Sequence, residues 1–333
     1  MSATKLSLRP RRNARFWGST VTTPLDDWAC AHPFFDMVFK WLVRQVEALT
    51  EPVIFLVVGP TGVGKTTMMQ YLAREFARRC DAAMNKNASL LPTLTTEAQY
   101  TPGRGFDWHG LFEGLLVNAN DILIDRKIGD NLEETRGSLR ALQRAANKVL
   151  LYRAPALVMV DEGSALLEGE KAESLLKNLR FLKGLGNMSK THIAIFGDYR
   201  LAKLASFDGQ LNRRIYLTHF PGYPATHERE FSPVVARFEG QFRSKGIDCS
   251  LVDSSHLLFE RTCGCVGLLR RWVLEAYLES LDGDKTIHAE LLKKKGPVDT
   301  MVNRWKQEIL DGMKGLEDFN NQMGVDPSIG GVK

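Results

Sequence analysis

The stretch Val53-Ile-Phe-Leu-Val-Val-Gly59-Pro-Thr-Gly-Val-Gly64-Lys65-Thr66-Thr67 decides the fold. Its first six residues are apolar, rich in β-branched side chains and without alternation, the pattern of a central parallel strand buried on both faces. Gly59 to Thr66 then fits G-x-x-x-x-G-K-[ST], and Met69, Leu72 and Phe76 recur at helical spacing behind it. Strand, glycine loop and helix therefore stand in the order that a phosphate cradle requires. Across Gly59, Pro60, Thr61, Gly62, Val63 and Gly64 the backbone can curl so that its N–H groups face phosphate oxygens, and the positive end of the helix adds to the field there. Lys65 is placed to reach the β- and γ-phosphates, the Thr66 hydroxyl to ligand Mg²⁺, and Thr67 to line the first helical turn. ATP and Mg²⁺ are the expected cofactors.

Outward along the chain, a second buried strand, Ala156 to Val160, ends in Asp161-Glu162. Asp161 has the place of a carboxylate that holds the metal, and Glu162 that of a base that polarises a water for attack on the γ-phosphate. Between the two motifs lie a strand candidate at Leu90 to Thr95 and helix candidates at Trp108 to Asn118 and Glu133 to Tyr152, so a further strand is expected between these two buried strands in sequence. A third apolar strand, His192 to Phe196, leads to Asp198, which fills the position of a γ-phosphate sensor; its acidity fits there only through a water or an Arg. The polar loop Phe207 to Arg214 carries Arg213 and Arg214 just before a short strand, Ile215 to Leu217, where an Arg can reach a neighbouring subunit's nucleotide. Helices are expected at Pro233 to Lys245, Ser254 to Thr262, Val266 to Leu281 and Ile287 to Lys295, a small lid in which Arg270 is placed to lean onto the phosphates.

Together these residues resemble an AAA+ ATPase of the initiator and helicase-loader branch. More narrowly, Leu56-Val-Val-Gly-Pro-Thr61, Asn178-Leu-Arg-Phe-Leu182 and Asp208-Gly-Gln-Leu-Asn-Arg213-Arg-Ile215 are similar to the TniB/TnsC family of transposon ATPases, over roughly residues 50–285. The resemblance implies an α/β P-loop fold with a five-stranded parallel sheet between helices, carrying a helical lid. It implies an ATP-dependent regulator that oligomerises on double-stranded DNA as a ring or filament and links a TniQ-like target-selection protein to a DDE transposase. By the same resemblance Glu162 and Lys65 serve hydrolysis, Arg213 or Arg214 the contact between subunits, and Arg270 the sensor of the lid. Two residues depart from the pattern: Asp198, where Asn, Ser or Thr is more usual, and Gly163 after the two acids. A helicase loader acting on single strands, and a scaffold that uses ATP only to assemble, remain as alternatives.

The chain has 333 residues, 44 Lys+Arg against 39 Asp+Glu, and a formal net charge of +5. Its 44% hydrophobic and 25% charged residues exclude a disordered, collagen-like or coiled-coil chain. Lys5, Arg9, Arg11, Arg12 and Arg15 lie before the first acid, so the N-terminal arm holds the entire positive excess and the body is neutral. DNA contacts to the backbone are expected from Arg11 and Arg12 of the arm and from Arg104, Arg126, Lys127, Arg136, Arg140 and Arg144, the last three sharing one helix face. The expected division is a basic arm over 1–30, a nucleotide-binding core over 31–225, a lid over 226–295 and a C-terminal helical segment and tail over 296–333. Five scattered cysteines argue for reduced thiols, with Cys263 and Cys265 completing no metal site. No apolar run approaches the length of a membrane span and no apolar stretch follows the basic N-terminus, so a cytoplasmic protein with no membrane partner is expected.

Overall fold

A computed structural model describes residues 23–25, 28–101, 105–120, 139–168, 172–206, 214–281 and 286–323. Helix α1 (Pro33–Ala48) opens on a proline, whose fixed φ suits a first turn and whose missing N–H costs nothing there. Strand β1 (Ile54–Val58) follows and is buried throughout, as its unbroken apolar run requires. After α2 (Lys65–Arg79) and the short α3 (Asp81–Lys86) come β2 (Thr93–Glu97), the hairpin β3 (Tyr100–Thr101) and β4 (Gly105–Phe106), and α4 (Trp108–Asn118). Helix α5 (Leu139–Arg153) leads into β5 (Leu157–Asp161), α6 (Ala172–Ser189) into β6 (His192–Gly197), and a 3-10 helix at Tyr199–Ser206 precedes β7 (Ile215–His219).

The five long strands form one parallel sheet in the order β2-β5-β6-β1-β7. The strand expected between β1 and β5 in sequence is β2, which lies at the far edge beside β5. The strand between them in space is β6, paired with β1 on one side and β5 on the other. Phe55, Leu56, Val57 and Val58 are fully buried, and the core on one face gathers α4, α5 and α6 while the other gathers α1 and α2. An α/β P-loop fold with its sheet between helices is what the sequence implied. The boundaries moved slightly: β2 starts at Thr93 rather than Leu90, and of the helix expected from Glu133 only Leu139 onward lies among the described residues.

The lid contains α7 (Glu228–Arg243), α8 (Ser255–Thr262), α9 (Val266–Ser280) and α10 (Ala289–Lys295), with two short strands, β8 (Asp248–Cys249) and β9 (Thr286–Ile287), pairing in parallel. Helix α7 begins before Pro233 rather than at it. Pro233 lies inside the helix at its sixth position, where it forgoes the bond its N–H would otherwise give the Arg229 carbonyl. The long C-terminal helix α11 (Asp299–Met323) completes the chain's described part.

The end of the stretch read as a basic arm is not an arm at all. Leu25 and Cys30 are buried in the lid's own core with Phe231, Phe238 and Val273, Trp28 meets Phe238 edge to face at 4.8 Å, and Gln241 Nε2 donates to the Pro24 carbonyl at 2.7 Å. Apolar Leu25, Trp28 and Cys30 follow the last arginine of the tail, and burying them stabilises the lid by more than solvation of a free strand would. Arg11 and Arg12 lie outside the described residues. The five cysteines are free thiols, no group of His, Cys, Asp or Glu among the described residues has the arrangement of a metal site, and no helix of them is long and apolar enough to cross a membrane.

His32, at the hinge between core and lid, is buried among the rings of Phe35, Phe220 and Tyr223, and its Nδ1 has no hydrogen-bond partner. Burial, assisted by the nearby Arg237 charge, lowers its pKa to about 4. The unfolded chain therefore takes up a proton below the ordinary histidine pKa of about 6.5 while the folded chain does not, so stability is full above that pH and falls as pH drops toward 4. The loss attributable to His32 amounts to roughly 3 kcal/mol across that window. Thermal melting followed from pH 7 to pH 4 should show it, and His32→Phe should flatten that part of the profile.

Candidate functional site

The phosphate loop runs between the carboxyl end of β1 and the first turn of α2, the crevice in which open α/β sheets hold their ligands. Gly64 caps α2 in a left-handed conformation, φ 114°, that a side chain would strain. The first backbone bond of the helix is Met68 N–H to the Gly64 carbonyl, so the N–H groups ahead of it have no acceptor within the helix and face the loop's concavity. Gly62 meets the lid directly: Leu268 N–H donates to its carbonyl at 3.2 Å, and a Cβ on Gly62 would come within 2.5 Å of the Leu268 side chain. From the lid's side Gly267 makes the same close approach, since a Cβ there would lie 2.4 Å from the Gly62 carbonyl oxygen. The Gly267-Leu268 start of α9 is thus seated on the phosphate loop.

Gly267→Val is expected to undock this contact. The branched side chain would have to displace backbone rather than a flexible side chain, and nucleotide affinity should fall at least ~10-fold with a destabilisation of roughly 1–3 kcal/mol. Fluorescent-nucleotide titration together with denaturant melting measures both.

Lys65 Nζ turns back onto its own loop, donating to the Gly59 carbonyl at 2.8 Å and the Pro60 carbonyl at 2.9 Å. Burial pulls the ammonium below its ordinary pKa, and the charges of Glu308, Asp198, Glu162 and Asp161 partly restore it. The Thr66 hydroxyl donates to Asp161 Oδ2 at 2.7 Å, which joins the end of β5 to the start of α2 across the intervening β6. A hydroxyl and a carboxylate meeting beside a phosphate cradle are the hard oxygen donors that Mg²⁺ takes. The left-handed loop glycine, the unclaimed helix N–H groups and this oxygen pair fit a nucleoside triphosphate with its metal.

Glu162 follows in the left-handed region, φ 52°, with its backbone N–H on Asp161 Oδ1 at 2.9 Å and its side chain exposed. A non-glycine residue held there stores strain of about 1–3 kcal/mol, of a kind concentrated at working sites. Gly163 has a packing reason: a Cβ would lie 2.2 Å from Ile195 Cγ2, so no side chain fits between the turn and β6. Asp198 at the tip of β6 has the Arg its acidity demanded. Arg200 Nε and Nη2 hold its carboxylate at 3.0 and 2.7 Å, the Ser164 hydroxyl accepts from its backbone N–H at 3.0 Å, and Arg200 Nη1 also reaches Glu168 at 2.7 Å. Burial pushes the Asp198 carboxyl up, but the hydrogen bonds and charge of Arg200, with Ser164, outweigh it and hold the group below its usual value. Arg200 and Ser164 had no distinguishing pattern in sequence beyond their nearness to the strand tips.

Arg270 is placed otherwise than expected. Its Nη1 donates to the Trp28 carbonyl at 2.8 Å and Nη2 to the Leu25 carbonyl at 2.7 Å, so the guanidinium clamps the N-terminal segment onto the lid instead of leaning on the phosphates. The Trp28 carbonyl, and the Leu25 carbonyl that also accepts from the Trp28 N–H at 3.3 Å, both take a bond from the forked guanidinium. Arg214 stands at the start of β7, the sheet edge opposite the phosphate loop, bonded to Asn187 Oδ1 at 2.9 Å and Glu51 at 2.8 Å. It is therefore remote from its own chain's phosphates. Arg213 lies outside the described residues, as do Arg104, Arg126, Lys127 and Arg136. Arg140 and Arg144 are exposed on α5, and Lys148 and Tyr152 continue their stripe at the same spacing. Lys148 was missed, though the i, i+4 step that picked out its neighbours reaches it.

Residues 50–205 match a family model described as an AAA domain. The replication factor C large subunit of Pyrobaculum neutrophilum is 32% identical over 124 residues, 36% of this chain and 27% of that protein. The chain thus spans about a quarter of the length of this curated relative. Among solved structures, ORC2 of Aeropyrum pernix, in its ADPNP and ADP complexes, superposes with a TM-score of 0.50 at 14% identity, covering 78% of this chain and 65% of that one. ORC1 of the same organism, in complex with DNA, also gives 0.50, at 13% identity over 80% and 65% of the two chains. The fold of the core is that of an AAA+ P-loop ATPase.

Proposed function

We propose that this AAA+ chain hydrolyses ATP and regulates DNA transposition by assembling on double-stranded DNA, linking a TniQ-like target-selection protein to a DDE transposase. The observation that supports it most is the 2.7 Å bond between Thr66 and Asp161, which brings a metal-binding pair together beside the phosphate loop. In this reading Mg²⁺, held by Thr66 and Asp161, supplies charge stabilisation at the phosphates. The loop N–H groups and Lys65 bind and orient the nucleotide, and Glu162 takes a proton from the attacking water. Arg200 keeps Asp198 ionised and offsets part of its charge, so the carboxylate can position a water near the γ-phosphate with reduced repulsion. Arg214, remote from its own chain's site, or its neighbour in sequence Arg213 serves a neighbouring subunit.

DNA is engaged through its backbone. Arg140, Arg144 and Lys148 form one exposed basic stripe on α5, and the arginines of the N-terminal tail add to the positive charge of the chain. The finer assignment to transposition rests on the Gln210-Leu-Asn-Arg213 resemblance. The test is assembly: ATP or a non-hydrolysable analogue with duplex DNA should produce regular oligomers visible by negative-stain microscopy. Preference for single strands would favour a helicase loader. The triple change Arg140→Ala, Arg144→Ala, Lys148→Ala should weaken duplex binding and flatten the slope of log affinity against log salt by about 2–3, near 0.9 for each phosphate contact removed. An unchanged slope places the DNA on another surface.

A further inference from the structure

The C-terminal helix α11 brings an acidic side chain into the phosphate cradle. Glu308 Oε1 accepts from the Thr61 backbone N–H at 2.9 Å and from the Thr61 hydroxyl at 3.0 Å. A carboxylate thus occupies a loop N–H of the kind that the cradle offers to phosphate oxygens, and its charge is the foremost one acting on the buried Lys65 ammonium. Carboxylate and phosphate share one chemistry here, that of an anionic oxygen on backbone N–H groups.

The rest of the helix is held in a manner suited to release. Its contact face is a narrow stripe at helical spacing, in which Val302, Gly312 and Leu316 are buried and Trp305, Glu308 and Ile309 half-buried, while Leu310 is 64% exposed. Few buried apolar side chains in a helix of 25 residues give it a low opening free energy relative to the sheet. Gly312 packs flat on the Tyr199 ring, beside the Asp198 strand tip, where a Cβ would come within 2.1 Å of Cδ2. At its other end Asp299 pairs with Arg261 of the lid. The helix therefore spans lid and core directly over the nucleotide crevice, and the Thr61 contact is solvent-exposed, so it contributes modestly and is replaceable.

We propose that α11 is a nucleotide-displaced latch: Glu308 holds Thr61 of the phosphate loop until the phosphates of a bound nucleotide expel the carboxylate and release the helix from its seat on Tyr199. This rests on the reading of the loop as an ATP site. Two anions cannot share the cradle without repulsion, and a triphosphate carries several charges to the carboxylate's one. The free energy of opening is subtracted from nucleotide binding, and the C-terminal segment becomes a signal of the nucleotide state.

The experiment combines nucleotide affinity with hydrogen exchange across residues 299–318. In the full chain, a saturating non-hydrolysable ATP analogue with Mg²⁺ should raise the exchange of those amides. Glu308→Ala should bind the analogue at least tenfold more tightly and show fast exchange of α11 without nucleotide. Gly312→Ala should give the same gain without touching the loop, and Glu308→Gln, which keeps an acceptor but loses the charge, should fall between. Binding by the wild type with α11 equally protected and no gain in Glu308→Ala or Gly312→Ala overturns the latch and leaves the ATP reading standing. Absence of binding in the wild type and in all three variants overturns the ATP reading and the latch with it, whereas binding only in the variants supports the latch in its strongest form.

Discussion

Lys65→Ala should weaken nucleotide binding by at least ~100-fold, measured by titration of a fluorescent ATP analogue, and should abolish ATP-dependent assembly on DNA. Two losses add. The charge-assisted bond to the phosphates disappears, and so does the ammonium that faces Glu308, Glu162 and Asp161 at the loop. The carboxylates of Glu308, Glu162 and Asp161 then lack the ammonium that offsets them, which makes the cradle hostile to a polyanion. Lys65 also reaches the Gly59 and Pro60 carbonyls in this structure, so its side chain must swing from backbone acceptors to phosphate on binding. That exchange conserves hydrogen bonds. Affinity within threefold of wild type would remove Lys65 from the site.

Glu162→Gln should reduce ATP turnover by about 10²–10⁴-fold while affinity for ATP stays within a few-fold. Glutamine matches the size and keeps the exposed position and the left-handed backbone, so the turn bonded to Asp161 Oδ1 survives. What it lacks is the ability to accept a proton. Phosphate release measured with duplex DNA present separates the cases: equal, near-zero rates in both proteins would describe a scaffold that uses ATP for assembly alone. A large fall in rate with oligomers intact would place hydrolysis after assembly, as a step of disassembly or hand-over.

How far the site was readable from residue order differs from part to part. Gly59 to Thr66 and Asp161-Glu162 were legible because each lies at a strand end, where a run of apolar residues gives way at once to chemistry. The individual strands followed from the same runs, Leu157 to Asp161 and His192 to Gly197 with little adjustment, while the five-stranded parallel sheet was what the family resemblance implied. Arg270 was legible as a position and not as a role. Its place near the start of a lid helix is visible in sequence, but the carbonyls of Leu25 and Trp28 that take its guanidinium lie 245 and 242 residues away. Asp198 was placed correctly at a strand tip with its partner unidentified, since Arg200 is one of many arginines until the 3-10 turn folds it back onto the carboxylate.

By itself the sequence determined the phosphate loop, the Asp161-Glu162 pair at the next strand end and the α/β sheet that carries them, because glycine conformations, strand hydrophobicity and helix periodicity are local properties written into neighbouring residues. Only the tertiary structure decided what stands against that loop: the Gly62 and Gly267 backbones pressed together, the N-terminal segment built into the lid, and Glu308 seated on Thr61 from 247 residues away. Such contacts join surfaces whose chain separation leaves no period and no motif. Packing selects them, and they become visible when the chain has closed on itself.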